Sequence, residues 1–320
     1  MGKTKNTYSG QNVAIIIPTK DRPNKLKNLL NSLAIQNEVC GRVVVVNGGK
    51  SVEDVVMHFS DRLPVEYYEC NPPGQIRQRN MGISRLDDRT ALVGFLDDDI
   101  VLEPGAMAAI LNHWNRAEPN TAGISFNIVN NKPLGLSFWG PLIGMGKSKQ
   151  GRVLRSGYNV AISPVEYDLK TQWLCGGATI WRKEIVESYT HREISSKWAI
   201  SEDVIFSYPI GKKHPLYVSA DAKVRHEHVL DHQVKKKHRY YGRTLSLWRM
   251  YFVTSHKELS LVSFFLMLGG EVFARMAVGL FTLNFDHVQY ALGQVQGASI
   301  GIHTLIQGGA LIERINEQPV

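Results

Sequence analysis

The stretch Phe95-Leu96-Asp97-Asp98-Asp99-Ile100-Val101-Leu102-Glu103-Pro104-Gly105 constrains the rest of the chain more than any other. Ala91 to Leu96 is apolar apart from Gly94, which predicts a strand buried on both faces. Three aspartates follow where that strand leaves its sheet, and Glu103-Pro104-Gly105 turns the chain into a helix starting near Ala106. Adjacent carboxylates repel one another, so such a cluster is stable when solvated or when it shares a cation. Hard oxygen ligands of this kind suit Mg2+ or Mn2+. An acidic surface turn is the plainer alternative. In open α/β sheets, however, ligands bind beyond the carboxyl ends of the strands, and that placement favours a metal site.

The preceding residues alternate strand and helix. Val13 to Ile17 reads as a buried strand ended by Pro18, followed by the polar loop Thr19-Lys20-Asp21-Arg22-Pro23. Leu26, Leu29, Leu30 and Leu33 share one face of a helix from about Asn24 to Gln36. Val43 to Val46 is a second strand, stopped by Asn47-Gly48-Gly49, and Val65 to Cys70 a third. This order predicts a mostly parallel sheet flanked by helices. In the next helix, Gln75 to Ile83, Arg77 and Arg79 cannot both be buried. Either the helix is a solvated basic one, or one arginine crosses toward a phosphate near the aspartates.

Further on, Ala106 to Trp114 predicts a helix and Gly123 to Val129 a strand; Asn130 to Glu166 is glycine-rich loop or short antiparallel strand. Trp173 to Trp181 returns to strand character, and Gly176-Gly177 would let a ligand approach the backbone closely. Ser201 is a candidate cap that would put Glu202 and Asp203 in the first turn of a helix, an ordinary place for acids. His226 and His228 fit no zinc signature by themselves; one of them completing an aspartate-bound cation is more economical.

The last third carries much of the net charge of +8. Lys235 to Arg243 is basic and interleaved with Tyr240 and Tyr241; Trp248, Tyr251 and Phe252 follow, then the apolar stretch from Leu259 to Phe281. Glu271 and Arg275 interrupt that stretch at helix-pair spacing and would be costly at bilayer depth. The expectation is a helix or hairpin lying in the interface of an anionic membrane. The alternative is helices packed on the catalytic domain or on a second subunit of a homo-oligomer. Three cysteines without metal spacing and a polar Met1 to Gln11 point to a reducing, cytoplasmic setting without a secretory signal. The expected division is a polar extension 1–11, a catalytic domain 12–230 and a basic, hydrophobic helical tail 231–320.

In this order the motifs resemble an inverting glycosyltransferase of the large family 2, with the GT-A fold. Val13 to Pro23 looks like that family's opening strand and nucleotide-binding loop, which implies donor contacts from Pro18, Thr19, Asp21 and Arg22. Asn47 stands where many members carry an aspartate that recognises uracil, and its replacement also admits guanine or thymine nucleotides. Arg79-Asn80-x-Gly82 resembles the element whose arginine contacts the nucleotide, although Gln78 replaces the usual small residue before it. Asp97-Asp98-Asp99 matches the Asp-x-Asp signature. The resemblance implies Asp99, with Asp97 and completed by His226, as ligands of Mn2+ or Mg2+, and Asp97 and Asp98 as donor-binding residues. Gly176-Gly177-Ala178 with Arg182-Lys183 resembles the acceptor-side segment, with Gly176 and Gly177 close to the donor. Glu202-Asp203 matches the pair whose aspartate is the usual base, leaving Glu202 to position the acceptor. The implied partners are a nucleotide sugar and a glycan or lipid-linked acceptor, at the inner face of the cell membrane, in surface-polysaccharide synthesis.

Rival classes fare worse. A dinucleotide dehydrogenase needs a glycine-rich first turn, and Pro18 to Pro23 contains no glycine. A sugar-nucleotide nucleotidyltransferase shares the layered fold and carboxylate-held metal but needs a glycine-rich basic loop at the same place. A nucleic-acid binder would use Lys235 to Arg243, yet leaves the aspartates and Glu202-Asp203 without a role. Nucleic acid is therefore not an expected partner.

Overall fold

The computed structural model describes residues 7–131, 149–162, 164–189, 193, 200–227 and 237–316. The chain divides into two compact units, each assembled from three pieces of sequence. Met1–Pro133, Ile162–Glu193 and Phe206–His228 form the first; Leu134–Ala161, Ile194–Ile205 and Val229–Val320 form the second.

The first unit is built on one sheet. β1 (Val13–Thr19), β2 (Arg42–Asn47), β3 (Val65–Glu69) and β4 (Leu92–Leu96) are paired in parallel in the order β3-β2-β1-β4. Beyond β4 the sheet becomes mixed. β8 (Ala178–Arg182) runs antiparallel to β4 and to β6 (Gly123–Ile128). β9 (Leu216–His226) is parallel to β6 and antiparallel to β5 (Ile100–Leu102) and β7 (Leu169–Thr171). Successive side chains of a strand face opposite ways, so Ile15 and Ile17 meet the leucines of α1 (Pro23–Ala34) and the apolar side of α4 (Ala106–Arg116). Ile16 joins Val44, Val46 and Phe95 on the other face, under α3 (Gln75–Ile83) and α5 (Lys183–Ser188). The remaining helix, α2 (Glu53–Met57), packs beside α1 and β3. The expected α/β sheet with helical flanks is therefore present.

Three local expectations change. Pro18 does not end β1, which continues to Thr19 opposite Asn47. The ladder with β4 stops at Ile16, so the missing proline N–H removes no bond from that side. Trp173 to Gly177 is not strand, because β8 begins at Ala178. Of the glycine-rich segment, residues 132–148 lie outside the described residues; within the rest, Val153 and Asn159 make an antiparallel bridge.

The second unit is helical. α6 (Glu202–Gly211) starts in it; α7 (His238–Thr254), α8 (Leu261–Phe281), α9 (Phe285–Ile306) and α10 (Leu311–Asn316) complete it. α7 and α9 run in the same direction in close backbone contact. A Cβ at Gly293 would overlap the Arg239 carbonyl, and one at Gly297 the Arg243 carbonyl. Tyr240, Trp248 and Phe252 are buried inside this bundle, not offered to a membrane as the sequence pattern suggests. Glu271 is also buried. It accepts from Arg275 Nη2 at 3.1 Å and from Arg249 Nη1 of α7 at 3.2 Å, while the Arg275 guanidinium stacks 3.8 Å over the Tyr290 ring. α8 is long and apolar enough to cross a bilayer, by length and composition only, and most of it is not buried.

Candidate active site

The three aspartates leave β4 in three directions. The Asp97 amide donates to Gly177 O at 2.9 Å, and its carbonyl accepts from the Ile100 amide, which closes the turn. Asp97 Oδ1 accepts from Arg79 Nη2 at 2.8 Å and from Gln75 Nε2 at 3.0 Å. Arg79 is fully buried, with its guanidinium 5.6 Å above the Phe95 ring, so the second basic residue of α3 does cross toward the aspartates. Arg77 remains part-exposed, bonded to Glu193. Gly177 has to be glycine because a Cβ there would collide with the Asp97 carboxylate. The close approach expected of a ligand is made by Asp97 itself.

Asp98 points inward. Thr19 Oγ1 donates to it at 2.7 Å and Arg22 Nη1 at 3.3 Å. Burial pushes its carboxyl up to about 6, and the charges of Asp99 and Asp97 add to the rise, against the opposing pull of Thr19 and Arg22. Asp99 faces the end of β9. Its Oδ1 lies 3.0 Å from His226 Nε2, and its Oδ2 lies 3.6 Å from Arg22. The β5–β9 ladder, with Ile100 opposite His226, and the bond from the Glu227 amide to Asp99 O fix this juxtaposition. Glu227 is in turn held by Lys25 at 2.9 Å, and that bond keeps its carboxylate below the usual range. His228 lies outside the described residues. Among the described residues no group of three or more His, Cys, Asp or Glu side chains gathers as a metal cage. Asp99 and His226 form a two-ligand set of one oxygen and one nitrogen, which suits Mn2+ when diphosphate and water complete the shell.

The loops after β1 and β2 lock together. Asn47 is buried and spends its side chain locally: Nδ2 donates to Gly49 O, Lys50 O and Tyr67 Oη, and Oδ1 accepts from the Gly49 amide. Asp21, with a left-handed φ of 55°, accepts from the Lys50 amide at 2.9 Å. Gln78 is buried and bridges the strand ends, donating to Thr19 O at 2.8 Å and Val46 O at 2.6 Å. Thr19, Arg22, Arg79, Asp97, Asp98, Asp99, Gly177 and His226 thus form one cluster at the carboxyl end of the sheet, with Pro18 and Asn47 near the ends of β1 and β2 and Asp21 in the adjoining loop. Gly176 directly precedes that cluster's Gly177. Sequence reasoning missed Gln75 and the role of Gln78. Gln75 was recoverable, since it lies one helical turn before Arg79 and shares its face.

Glu202 and Asp203 belong to the second unit, in the first turn of α6. Asp203 Oδ1 accepts from the Val204 amide at 2.8 Å. Tyr241 of α7 has a phenol raised mainly by burial, with a contribution from the Asp203 charge. Ser201 has a left-handed φ of 63° rather than the extended backbone of an ordinary cap.

Among the described residues, a nine-stranded mixed sheet with an acidic triplet at the carboxyl end of a central strand, flanked by a buried arginine and a threonine–arginine pair, has the architecture of the GT-A fold. Residues 14–160 match the family described as Glycosyl transferase family 2. No curated protein matches the sequence. Among solved structures, the mannosyltransferase PcManGT from Pyrobaculum calidifontis, in complex with GDP-Man and Mn2+, is similar with a TM-score of 0.53 at 13% identity, over 96% of this chain and 83% of that one. S. aureus TarS is similar with a TM-score of 0.47 at 14% identity, over 88% of this chain. This chain spans about half, 54%, of the length of that TarS structure, and 91% of the TarS 1–349 structure, at 15% identity.

Proposed function

We propose that the chain catalyses inverting, metal-dependent transfer of a sugar from a nucleoside diphosphate to a hydroxyl of a glycan or lipid-linked saccharide, at the cytoplasmic side of a membrane in surface-polysaccharide synthesis. The observation that carries this reading is the convergence of Asp99 and His226, 3.0 Å apart, beside an aspartate held by a buried arginine. Asp99 and His226 would hold Mn2+ or Mg2+, which when bound neutralises charge on the departing diphosphate. PcManGT is described with Mn2+, which agrees with that assignment. Arg22 lies beside Asp99 and supplies a further cation for the same phosphates. Asp97, fixed by Arg79 and Gln75, orients the ribose or the water shell of the cation; Asp98 fixes Thr19 and Arg22 in the donor loop. Asp203 takes the proton of the attacking hydroxyl and Glu202 positions the acceptor. A single displacement inverts the anomeric centre and requires no carboxylate nucleophile.

The test is thermal stabilisation by nucleoside diphosphates with and without Mn2+. Ligand at a hundredfold its Kd adds about 2.7 kcal/mol to the folded state. The expected result is a melting shift with one nucleotide class that EDTA removes, and that Asp99→Asn loses while melting normally without ligand. A metal-dependent shift of full size in Asp99→Asn would overturn the assignment.

A further inference from the structure

Between Leu261 and Ile306 the chain has three charged residues, Glu271, Arg275 and Asp286. The first two are turned inward on Arg249 and Tyr290. What faces outward on α8 is apolar: Val262, Leu266 and Phe273, at helical spacing, are 71%, 69% and 76% exposed. The apolar surface continues around the turn into α9, where Phe281, Leu283 and Phe285 are 90%, 77% and 66% exposed. Leu283 has a left-handed φ of 52°, which a branched residue rarely adopts, and it holds an apolar side chain in solvent. A turn selected only for solubility and ease of folding would place glycine or asparagine there.

The same end of the bundle is basic. His238 Nε2 lies 3.3 Å from Asp286 Oδ2, which brings the start of α7 to the start of α9. Lys237 and Arg239 flank that histidine, within a run from Lys235 to Arg243 that contains no acidic residue. An exposed apolar turn beside a cationic run matches the chemistry of an anionic bilayer surface, with cations at the headgroups and apolar side chains below them. A second copy of the chain is a poorer occupant, because a two-fold pairing through this end would set Lys237 and Arg239 against their own copies.

We propose that the turn between α8 and α9, with the outer face of α8, inserts shallowly into an anionic lipid bilayer, and that the start of α7 binds the headgroups. The buried aromatics of α7 take no part; Phe273, Phe281 and Phe285 supply the aromatic contact. This lipid contact stands apart from the transfer chemistry, although it would bring the enzyme to a lipid-linked acceptor.

The experiment is co-sedimentation of the full chain with vesicles of phosphatidylcholine alone and of phosphatidylcholine with phosphatidylglycerol, at low and high salt. Two variants accompany it, Phe281→Ser with Phe285→Ser, and Lys237→Gln with Arg239→Gln. All four positions belong to the second unit and the aspartate cluster to the first, and the melting temperature and nucleotide-dependent stabilisation of each variant are read in parallel. The wild-type chain is expected to bind anionic vesicles and to release with salt. The phenylalanine variant is expected to lose roughly tenfold or more in partition. The charge variant is expected to lose only the preference for anionic lipid. Recovery of the wild-type chain in the supernatant under every lipid condition overturns the proposal. So does a detergent-free dimer that ignores vesicles and dissociates in the phenylalanine variant. Because nucleotide stabilisation is read on the same proteins, failure of the lipid reading and failure of the donor reading are separable.

Discussion

The sequence resemblance sets Asn47 where many family 2 enzymes carry an aspartate that reads uracil, yet its amide is committed to its own loop. Substituting Asn47→Asp would point a carboxylate at the Gly49 and Lys50 carbonyls that now accept from Nδ2. The expected outcome is a loss of about 1–3 kcal/mol in denaturant unfolding, with no gain in affinity for uridine nucleotides. Tighter uridine binding at unchanged stability would show that the amide is free to exchange roles. Asp203 makes the opposite kind of case, a residue assigned by role. Asp203→Asn should cut turnover by roughly 100-fold or more at nearly unchanged donor affinity, measured as kcat beside nucleotide stabilisation. A parallel fall in both would make Asp203 a binding residue. At this scale the sequence exposes charge clusters such as Asp97 to Asp99, because few environments tolerate them. It conceals Asn47 and Gln78, whose partners are mostly backbone atoms positioned only once the loops have folded.

Among the elements, β1, β2 and β4 were legible because each is a short, nearly continuous apolar run between turn residues, and β3 because its valine and paired tyrosines favour a strand. β9 was legible only from Leu216 to Ser219, whose apolar content reads as a short strand. From Ala220 to His226 small or apolar residues alternate with Asp221, Lys223 and Arg225, the mark of a half-buried strand, but alanines carry too little hydrophobic contrast to announce it. α9 was not foreseen. Gly293, Gly297 and Gly301 recur every fourth residue, which lowers helix propensity while opening a groove for the α7 backbone. Packing overrides propensity here. The resulting prediction concerns Gly297→Val, which places a branched side chain against the Arg243 carbonyl. It should destabilise the helical unit by at least about 1–3 kcal/mol, read by thermal melting, where Gly269→Ala, at an exposed position of α8 with open space around it, costs far less. Equal melting of the two variants would show that α7 and α9 are not held at backbone contact.

For the whole molecule, the interleaving of the two units means that cutting the chain after residue 228 does not excise the second one. Residues 134–161 and 194–205 would stay behind without their helical partners. Point variants on exposed faces are therefore the cleaner probes of the bundle. The order of the strands also sets a schedule for synthesis. β5, β6 and β7 each pair with β9, which leaves the ribosome roughly a hundred residues after β6. At ribosomal rates that interval lasts about 5–20 s, during which the nascent sheet offers open edges to chaperones or to neighbouring chains. The delay ends with His226, the last residue of β9. A nascent chain already holds its three aspartates, but Asp99 meets His226 only when β9 docks, so the cation grip proposed for that pair would arrive together with closure of the sheet.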